Sequence, residues 1–262
     1  MLASPLVLVG ADKGGVGKTT VTRLLVDFLE MSGLDVRPFD TQAPTGTLLR
    51  FYPDITKVMD IRDIRDQARL IESLASHQAV TIVDLKAGQL VHTLRFMEDV
   101  GLLDAAARGE ARILVLHLIG ASLASLAELE AVAPFKDKCE YRIVKNLVNG
   151  SSFFDDNADV SEHYLRRGDA GSEIVVPRLD PLAYEAVELT GLPFSSFVFD
   201  EPARVAEARP RSFVLRGYVR TWLERSWAGF ETAGLRGFLA PQGDKHELDK
   251  QELDKKELLA AG

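Results

Sequence analysis

Hydrophobic residues recur along the chain in short, nearly continuous runs rather than in strict alternation with polar residues. Runs of this kind predict strands that are covered on both faces, as in a parallel sheet. Each run is only a few residues long, which also fits a strand better than a buried helix. The predicted strands cover residues 6–9, 36–40, 80–85, 113–119, 141–148 and 173–179.

The segments between these runs repeat their apolar residues with the period of a helix. Residues 19–31 place their large apolar side chains on one stripe, and Gly33 follows as a stop signal. Since strand and helix alternate along the chain, we predict an α/β fold with a doubly wound, mostly parallel sheet and helices on both faces. The other predicted helices cover residues 56–76, 89–108, 121–134 and 181–190.

Composition is consistent with one large domain followed by a short tail. The chain has 262 residues, of which 46% are hydrophobic and 27% charged, typical of a globular protein with a real core. Residues 244–258 repeat the motif ELDK and contain six acids and four lysines. We therefore predict a P-loop domain over residues 1–240 and a charged, flexible tail over 241–262.

Charge and cysteine content exclude several classes of protein. The formal net charge of −8 argues against a protein that coats nucleic acid with its whole surface, although a local basic face is compatible with it. A single cysteine, Cys139, excludes an internal disulfide framework and any C-x-x-C site. The N-terminal residues lack a basic segment and a long apolar run, so we expect a cytoplasmic protein without membrane contact.

Residues 10–20 read GADKGGVGKTT and carry the clearest chemical signal. They follow an apolar strand and open an amphipathic helix, which is the context that a phosphate-binding loop requires. Lys18 would reach the β- and γ-phosphates of ATP, and the Thr19 hydroxyl would bind Mg²⁺. The predicted nucleotide-binding residues of this loop are Gly14, Gly15, Val16, Gly17, Lys18, Thr19 and Thr20.

The run KGGVGKTT resembles the deviant Walker A loop of the ParA/MinD family of ATPases. The resemblance implies that Lys13 crosses the interface of an ATP-sandwiched homodimer and contacts the partner's nucleotide. A second cation is most useful where triphosphate charge from two subunits meets. Asp12 stands at the position of the first Walker glycine, and we expect it to pair with Lys13 or with an arginine of the partner subunit.

Two acids match further landmarks of the family. Asp40-Thr41-Gln42 resembles the switch segment D-P-Q, in which the aspartate positions the attacking water and supports the Mg²⁺ shell. Thr41 replaces the usual proline, and a turn-capping role for Asp40 is the alternative. Asp84 ends an apolar run where Walker B places a Mg²⁺-binding acid, but residues 85–88 read LKAG instead of the family's T-P-P. The second switch therefore departs from the family pattern.

The resemblance also implies where the adenine base and further partners would bind. Asn146, with Asn149 as the alternative, and Pro177 correspond to late residues near the base. Late basic residues of the family bind DNA non-specifically, which would correspond here to Arg216 and Arg220; a solvated arginine face is the alternative. A helix from about residue 212 would turn Val214, Tyr218 and Trp222 towards the core.

These features predict a ParA/MinD-type ATPase that uses ATP and Mg²⁺. Lys13, Lys18 and Asp40 are its predicted catalytic residues, and Thr19, Asp40 and Asp84 its predicted metal-binding residues. It would position or segregate a plasmid, chromosome or other cargo through an ATP/ADP cycle between dimer and monomer, with slow hydrolysis stimulated by a protein partner. The alternatives are a nucleotide-switched accessory ATPase of conjugation or secretion, and an ATP-dependent amidoligase on the same fold.

Overall fold

A computed structural model describes residues 4–75, 79–120, 122–149, 173–199 and 212–240. The predicted tail, 241–262, lies outside the described residues. Seven strands are found within the described ranges: β1 (Leu6–Gly10), β2 (Val36–Asp40), β3 (Lys57–Val58), β4 (Val80–Asp84), β5 (Ile113–Ile119), β6 (Glu140–Asn146) and β7 (Glu173–Val176).

Nine α-helices lie within the same ranges. They are α1 (Lys18–Met31), α2 (Ile64–Ser73), α3 (Leu90–Asp99), α4 (Leu102–Ala107), α5 (Leu123–Val132), α6 (Pro181–Thr190), α7 (Phe194–Phe199), α8 (Phe213–Thr232) and α9 (Leu235–Leu239). Short 3₁₀ segments cover Leu48–Arg50, Ala133–Lys138 and Leu147–Asn149. None of the helices in the described part of the chain is both long and apolar enough to cross a membrane.

The strands form one sheet in the order β3-β2-β4-β1-β5-β6-β7, and every neighbouring pair is parallel. The predicted fold class, a doubly wound α/β sheet of the P-loop type, is confirmed. The sequence did not predict β3, because two residues are too few to produce a recognisable apolar run. The strand pairs only with β2, at one edge of the sheet.

Two apolar cores cover the two faces of the sheet, and β1 contributes to both. Val7 and Val9 pack into the core formed with α1, α7 and α8, whereas Leu6 and Leu8 pack into the core formed with α2, α3 and α4. All five residues of β1 are buried, which explains why its sequence does not alternate. Burial of each of these aliphatic side chains stabilises the folded state by about 1.5–3 kcal/mol relative to an exposed side chain.

Two predicted helices are shorter than the sequence pattern suggested. The segment 89–108 divides into α3 and α4 because Gly101 adopts a left-handed conformation with φ 76°. The segment 56–76 contains β3, and its helix begins only after Asp63, whose side chain accepts a hydrogen bond from the Arg65 amide. Local capping therefore sets both boundaries.

The predicted orientation of the long helix α8 is wrong for two of its three residues. Trp222 is buried, but Val214 and Tyr218 are 60% and 55% exposed. The Trp222 indole N–H donates to the Pro177 carbonyl at 2.7 Å. A buried indole requires such an acceptor, and this bond fixes the rotation of the helix. The side chains of α8 that face the core are those of Val219, Trp222, Leu223, Ser226 and Phe230.

A buried arginine on α1 joins three parts of the chain. Arg23 is 1% exposed, and its guanidinium lies 3.4 Å from the ring centroid of Phe51 and 3.9 Å from that of Phe194. The same guanidinium forms an ion pair with Glu188 on α6. Burial of a charge is tolerated only when it is paired in this way, so Arg23 fastens α6 and α7 to the segment that follows β2.

Asp27 lies one turn further along α1 and is also fully buried. Its carboxylate accepts hydrogen bonds from the Tyr52 hydroxyl at 2.8 Å and from the Ser195 amide at 2.9 Å. Burial raises the pKa of Asp27 to about 6, and the hydrogen bonds from Ser195 and Tyr52 only partly offset this increase. The folded protein therefore holds a proton on Asp27 at pH values where the unfolded chain has released it.

Asp27→Asn should change the pH dependence of stability in a defined direction. Because the folded pKa exceeds the unfolded value, ionised Asp27 destabilises the fold as pH rises from 4 through 6, and asparagine removes this loss. Relative to the wild type, the variant should gain on the order of 3 kcal/mol between pH 4 and pH 7. Urea unfolding at several pH values measures this gain.

The matched control is Asp54→Asn, since Asp54 is exposed. The gain in stability between pH 4 and pH 7 should be larger for Asp27→Asn than for this control. A constant stability difference between Asp27→Asn and the wild type would show that the buried carboxyl does not titrate above its ordinary range.

Candidate functional site

The candidate site lies where three parallel strands end side by side. Strand β1 ends at Gly10, β2 at Asp40 and β4 at Asp84. In the register of the sheet, Asp84 is paired with Val9 on one side and with Asp40 on the other. The carboxyl edge of a doubly wound sheet is where such folds bind ligands, and the two acids converge on the loop that follows β1.

The loop that follows β1 requires glycine at the start of α1. Gly17 is the N-cap of the helix and has φ 87°, a conformation that favours glycine. A Cβ atom at this position would lie 2.1 Å from the Asn146 Nδ2 atom. That amide nitrogen donates to the Val16 carbonyl at 3.0 Å. Asn146 on β6, predicted to bind the adenine base, therefore also braces the loop.

The two lysines of the loop occupy different environments. Lys18 is buried, and its Nζ donates to the Lys13 carbonyl at 3.0 Å inside the loop. Burial lowers the pKa of Lys18, against the opposing effects of Asp84, Glu128 and Asp12. Lys13 is exposed, and its Nζ donates to the Ser122 hydroxyl at 2.7 Å. One cation thus points into the loop, and the other lies at the surface.

The predicted metal-binding residues Thr19 and Asp84 are in direct contact. The Thr19 hydroxyl donates to one Asp84 oxygen at 2.7 Å. The Thr22 hydroxyl can donate its one proton to the other Asp84 oxygen at 3.2 Å or to the Lys18 carbonyl at 3.1 Å. Burial, with a smaller effect of Asp40, raises the pKa of Asp84 to about 7 despite these hydrogen bonds. A hydroxyl and a carboxylate are oxygen ligands of the kind that Mg²⁺ takes, so the residues present fit this ion.

Asp40 is close to Asp84, but its carboxylate is occupied by its own loop. One oxygen accepts from the Gln42 amide at 2.8 Å, and the other accepts from the Leu48 amide at 2.6 Å. The residue is fully buried. The turn-capping role considered from the sequence therefore matches the observed hydrogen bonds. Contact of Asp40 with water or metal stays a prediction, and would require rearrangement of residues 40–48.

The residues predicted to hold the base line one cavity. This cavity has a volume of about 170 Å³ and lies beside the loop, at the end of β6. Tyr184 on α6, which the sequence reasoning missed, has its hydroxyl 3.4 Å from the Thr20 hydroxyl. The side chain of Asn149, the alternative to Asn146, lies outside the described part of the structure. The lining residues are Thr20, Asn146, Val148, Pro177, Arg178, Leu179, Pro181, Tyr184 and Trp222.

The backbone of Asp12 is held by α5, and Lys13, one of its two expected partners, donates to Ser122 instead; pairing with an arginine of a partner subunit stays a prediction. The Asp12 backbone amide donates to the Glu128 carboxylate at 2.9 Å. Burial and Glu128 raise the pKa of Asp12, while His117, the Leu90 amide and Lys18 act in the opposite direction. Sequence reasoning missed Glu128, because no pattern connects it with a loop that lies 116 residues away along the chain.

The two arginines predicted to contact DNA differ in exposure and in their contacts within the chain. The Arg216 guanidinium donates to the Val198 carbonyl through Nε at 3.2 Å and is half-buried. Arg220 is exposed, and its guanidinium lies 5.7 Å from the ring centroid of Phe199. Phe213, Val214 and Tyr218 are exposed on the same helix. Arg220 lies on the side of α8 that carries Phe213, two turns earlier, whereas Val214 and Tyr218 lie on another side of the helix.

Comparison with solved structures shows the fold. The ParA family ATPase from Chlorobium tepidum TLS is 16% identical, with a TM-score of 0.52 over 84% of this chain and 99% of the other. The MinD cell division protein of Aquifex aeolicus is 17% identical, with a TM-score of 0.46 over 84% and 97%. An Archaeoglobus fulgidus nucleotide-binding protein in complex with ADP is 19% identical, with a TM-score of 0.47 over 79% and 90%.

Comparison of the sequence with family models locates the resemblance. Residues 7–121 match the model described as the CobQ/CobB/MinD/ParA nucleotide binding domain. This range contains the phosphate-binding loop, Asp40 and Asp84, so the matched segment includes all three strand ends of the site. No protein among the curated sequences matches the chain. Residues 7–121 are therefore similar to the nucleotide binding domain of CobQ, CobB, MinD and ParA.

Proposed function

We propose that this member of the ParA/MinD type of nucleotide-binding ATPases is an ATP-dependent, dimerising ATPase. It positions or segregates a plasmid, chromosome or other cargo through a cycle between an ATP dimer and an ADP monomer. A protein partner stimulates its slow hydrolysis. The main support for this cycle is that the two lysines of the loop occupy different environments, one inside the loop and the other at the surface.

The different positions of the two lysines support a role for Lys13 in binding the nucleotide of a second subunit. The Lys18 ammonium lies inside its own loop, where it can neutralise phosphate charge within one subunit. Lys13 is exposed, and it makes its hydrogen bond to a neutral hydroxyl, that of Ser122. Exchange of this hydrogen bond for a phosphate would be favourable, because charge-assisted hydrogen bonds are about twice as strong as neutral ones.

The site also contains the parts that hydrolysis would need. Thr19 and Asp84 would hold Mg²⁺, which neutralises charge on the transferred phosphoryl group when it is bound. Backbone amides of the loop and of the start of α1 would bind the phosphates. Asp40 would orient the attacking water after release from the Gln42 and Leu48 amides. In the proposed cycle, contact with the stimulating protein partner would cause this release of Asp40 from its loop.

A second candidate function is favoured by the exposed face of α8. Phe213 is 90% exposed on the side of the helix that carries Arg220, and Val214 and Tyr218 are 60% and 55% exposed on another side. Surfaces of this kind are typical of protein contacts. A nucleotide-switched accessory ATPase of conjugation or secretion, with protein rather than DNA as its partner, is therefore the alternative. Nothing in the described residues favours an amidoligase.

Lys13→Ala should abolish nucleotide-dependent dimerisation while leaving ATP binding intact, because Lys18 and the loop amides remain. Size-exclusion chromatography with light scattering, with ATP and with ADP, measures the mass directly. Wild type should shift from monomer to dimer with ATP only. Lys57→Ala, which removes an exposed lysine on β3, is the matched control and should behave as wild type. A Lys13→Ala protein that dimerises with ATP would contradict the trans role.

Asp40→Asn should trap the ATP dimer, because the amide retains one acceptor for the loop but does not provide the negative charge that orients water. We expect dimer formation as in wild type and a turnover at least about tenfold lower, which corresponds to 1.4 kcal/mol in the barrier. Phosphate release under steady-state conditions measures turnover. Unchanged turnover would show that the capping role is the only role of Asp40.

Arg220→Glu should weaken DNA retention by the ATP-bound protein if the DNA surface exists. The slope of log affinity against log salt should fall in magnitude by about 1, because one phosphate contact is lost. Filter retention over a range of salt concentrations measures this slope. The control is Arg65→Glu, an exposed arginine on α2. No difference between the two variants would favour the accessory ATPase with a protein partner.

A further inference from the structure

The two positions at which the switch segments depart from the ParA/MinD pattern are in contact with each other. Thr41, which replaces a proline, lies immediately after β2, and the LKAG sequence of residues 85–88 lies immediately after β4. The Thr41 side chain is buried. A buried hydroxyl requires partners; those found for Thr41 are Lys86, within the second segment, and Asp84 and Gln89, which flank it.

The Thr41 hydroxyl makes three contacts across the two segments. It accepts a hydrogen bond from the Lys86 amide at 2.8 Å. Its proton can be donated to the Gln89 Oε1 atom at 2.8 Å or to the Asp84 carbonyl at 3.1 Å. The Thr41 backbone amide also donates to the Asp84 carbonyl at 3.1 Å. A hydroxyl is both donor and acceptor, and here both capacities are used.

These contacts reach the start of α3, where the phosphate-binding loop also packs. Gln89 is the N-cap residue of α3 and is buried. The next residue, Leu90, packs against Gly10, at which an added Cβ would lie 2.9 Å from the Leu90 Cδ1 atom. The Leu90 amide also faces the Asp12 carboxylate. The start of α3 therefore touches the loop on one side and, through Gln89, Thr41 on the other.

We infer that Thr41 is a positioning residue that couples the two switch segments, so that a rearrangement of residues 40–48 around nucleotide is transmitted to residues 85–89. The inference deepens the proposed ATPase function and rests on it. Release of Asp40 from the loop amides would move the adjacent residue, Thr41, and the hydroxyl would carry residues 86–89 with it. A proline at this position would lack both the hydroxyl and the amide.

The hydrogen bond itself is tested without nucleotide. Thr41→Val keeps the shape of the side chain and removes the hydroxyl, so the Lys86 amide should exchange with solvent about tenfold faster, as measured by NMR. Thr41→Ser should retain the protection. The matched control is Thr47→Val, because the Thr47 hydroxyl donates to the Gln42 side chain at 2.8 Å within the first segment only. Equal Lys86 exchange in wild type and Thr41→Val would overturn the inference.

The coupling is tested with Mg²⁺ and the non-hydrolysable ATP analogue AMP-PNP. In wild type, Thr41→Ser and Thr47→Val, the analogue should slow hydrogen exchange in both segments. In Thr41→Val it should slow exchange in residues 40–48 but not in residues 85–89. Gln89→Leu removes only the Thr41–Gln89 hydrogen bond, so it should weaken transmission to residues 85–89 less than Thr41→Val does, and the double variant Thr41→Val/Gln89→Leu should match Thr41→Val. Transmission to residues 85–89 in Thr41→Val would overturn the coupling.

Kinetics separates this role from a purely structural one. Thr41→Val should lower kcat about tenfold and leave KM within about twofold of wild type, with recovery in Thr41→Ser. A purely structural role would instead lower the melting temperature and the folded fraction of Thr41→Val, and its activity would fall in proportion to the folded fraction. Failure of wild type to bind Mg²⁺·AMP-PNP would overturn the proposed function and the coupling together. The Lys86 measurement would then still decide whether the hydrogen bond forms.

Discussion

Parallel pairing of β1, β2 and β4 is the constraint on which the rest of the site depends. Because β4 lies between β1 and β2 in register, the loop after β1 and the acids Asp40 and Asp84 end at one edge of the sheet. The hydrogen bonds that Thr19 and Thr41 make with Asp84 depend on this arrangement. Residues that are more than 60 positions apart in sequence, such as Thr19 and Asp84, come within 2.7 Å only because this register holds.

Much of the fold could be predicted because its signals are local. The apolar runs identified six of the seven strands found in the described residues, and the glycines of residues 10–20 predicted the loop between β1 and α1. Boundaries were less accurate where a cap decided them, as at Asp63 and Gly101. The face of α8 was predicted wrongly because two neighbouring stripes of the helix are both apolar, and only the acceptor for the Trp222 indole selects one of them.

The parts of the site that could not be predicted depend on contacts distant in sequence. Glu128 and Ser122 hold Asp12 and Lys13 from α5, and the hydroxyl of Thr22 adds a second donor to Asp84. None of these residues has a spacing or composition that distinguishes it. Thr41 and Asp12 were visible as departures from the family motif, but their partners became apparent only once the sheet had placed them.

The contacts of the buried Arg23 guanidinium restrict which substitutions the fold tolerates at this position and at its neighbours. Its charge is matched by Glu188, and its flat faces lie against two phenyl rings, so the position selects for shape as well as for charge. A lysine would keep the ion pair, but its compact, strongly hydrated ammonium would not stack on the two rings as the planar guanidinium does. Variation at residue 23 is thus restricted together with residues 51, 188 and 194, and relatives that lose the arginine should have lost the rings as well.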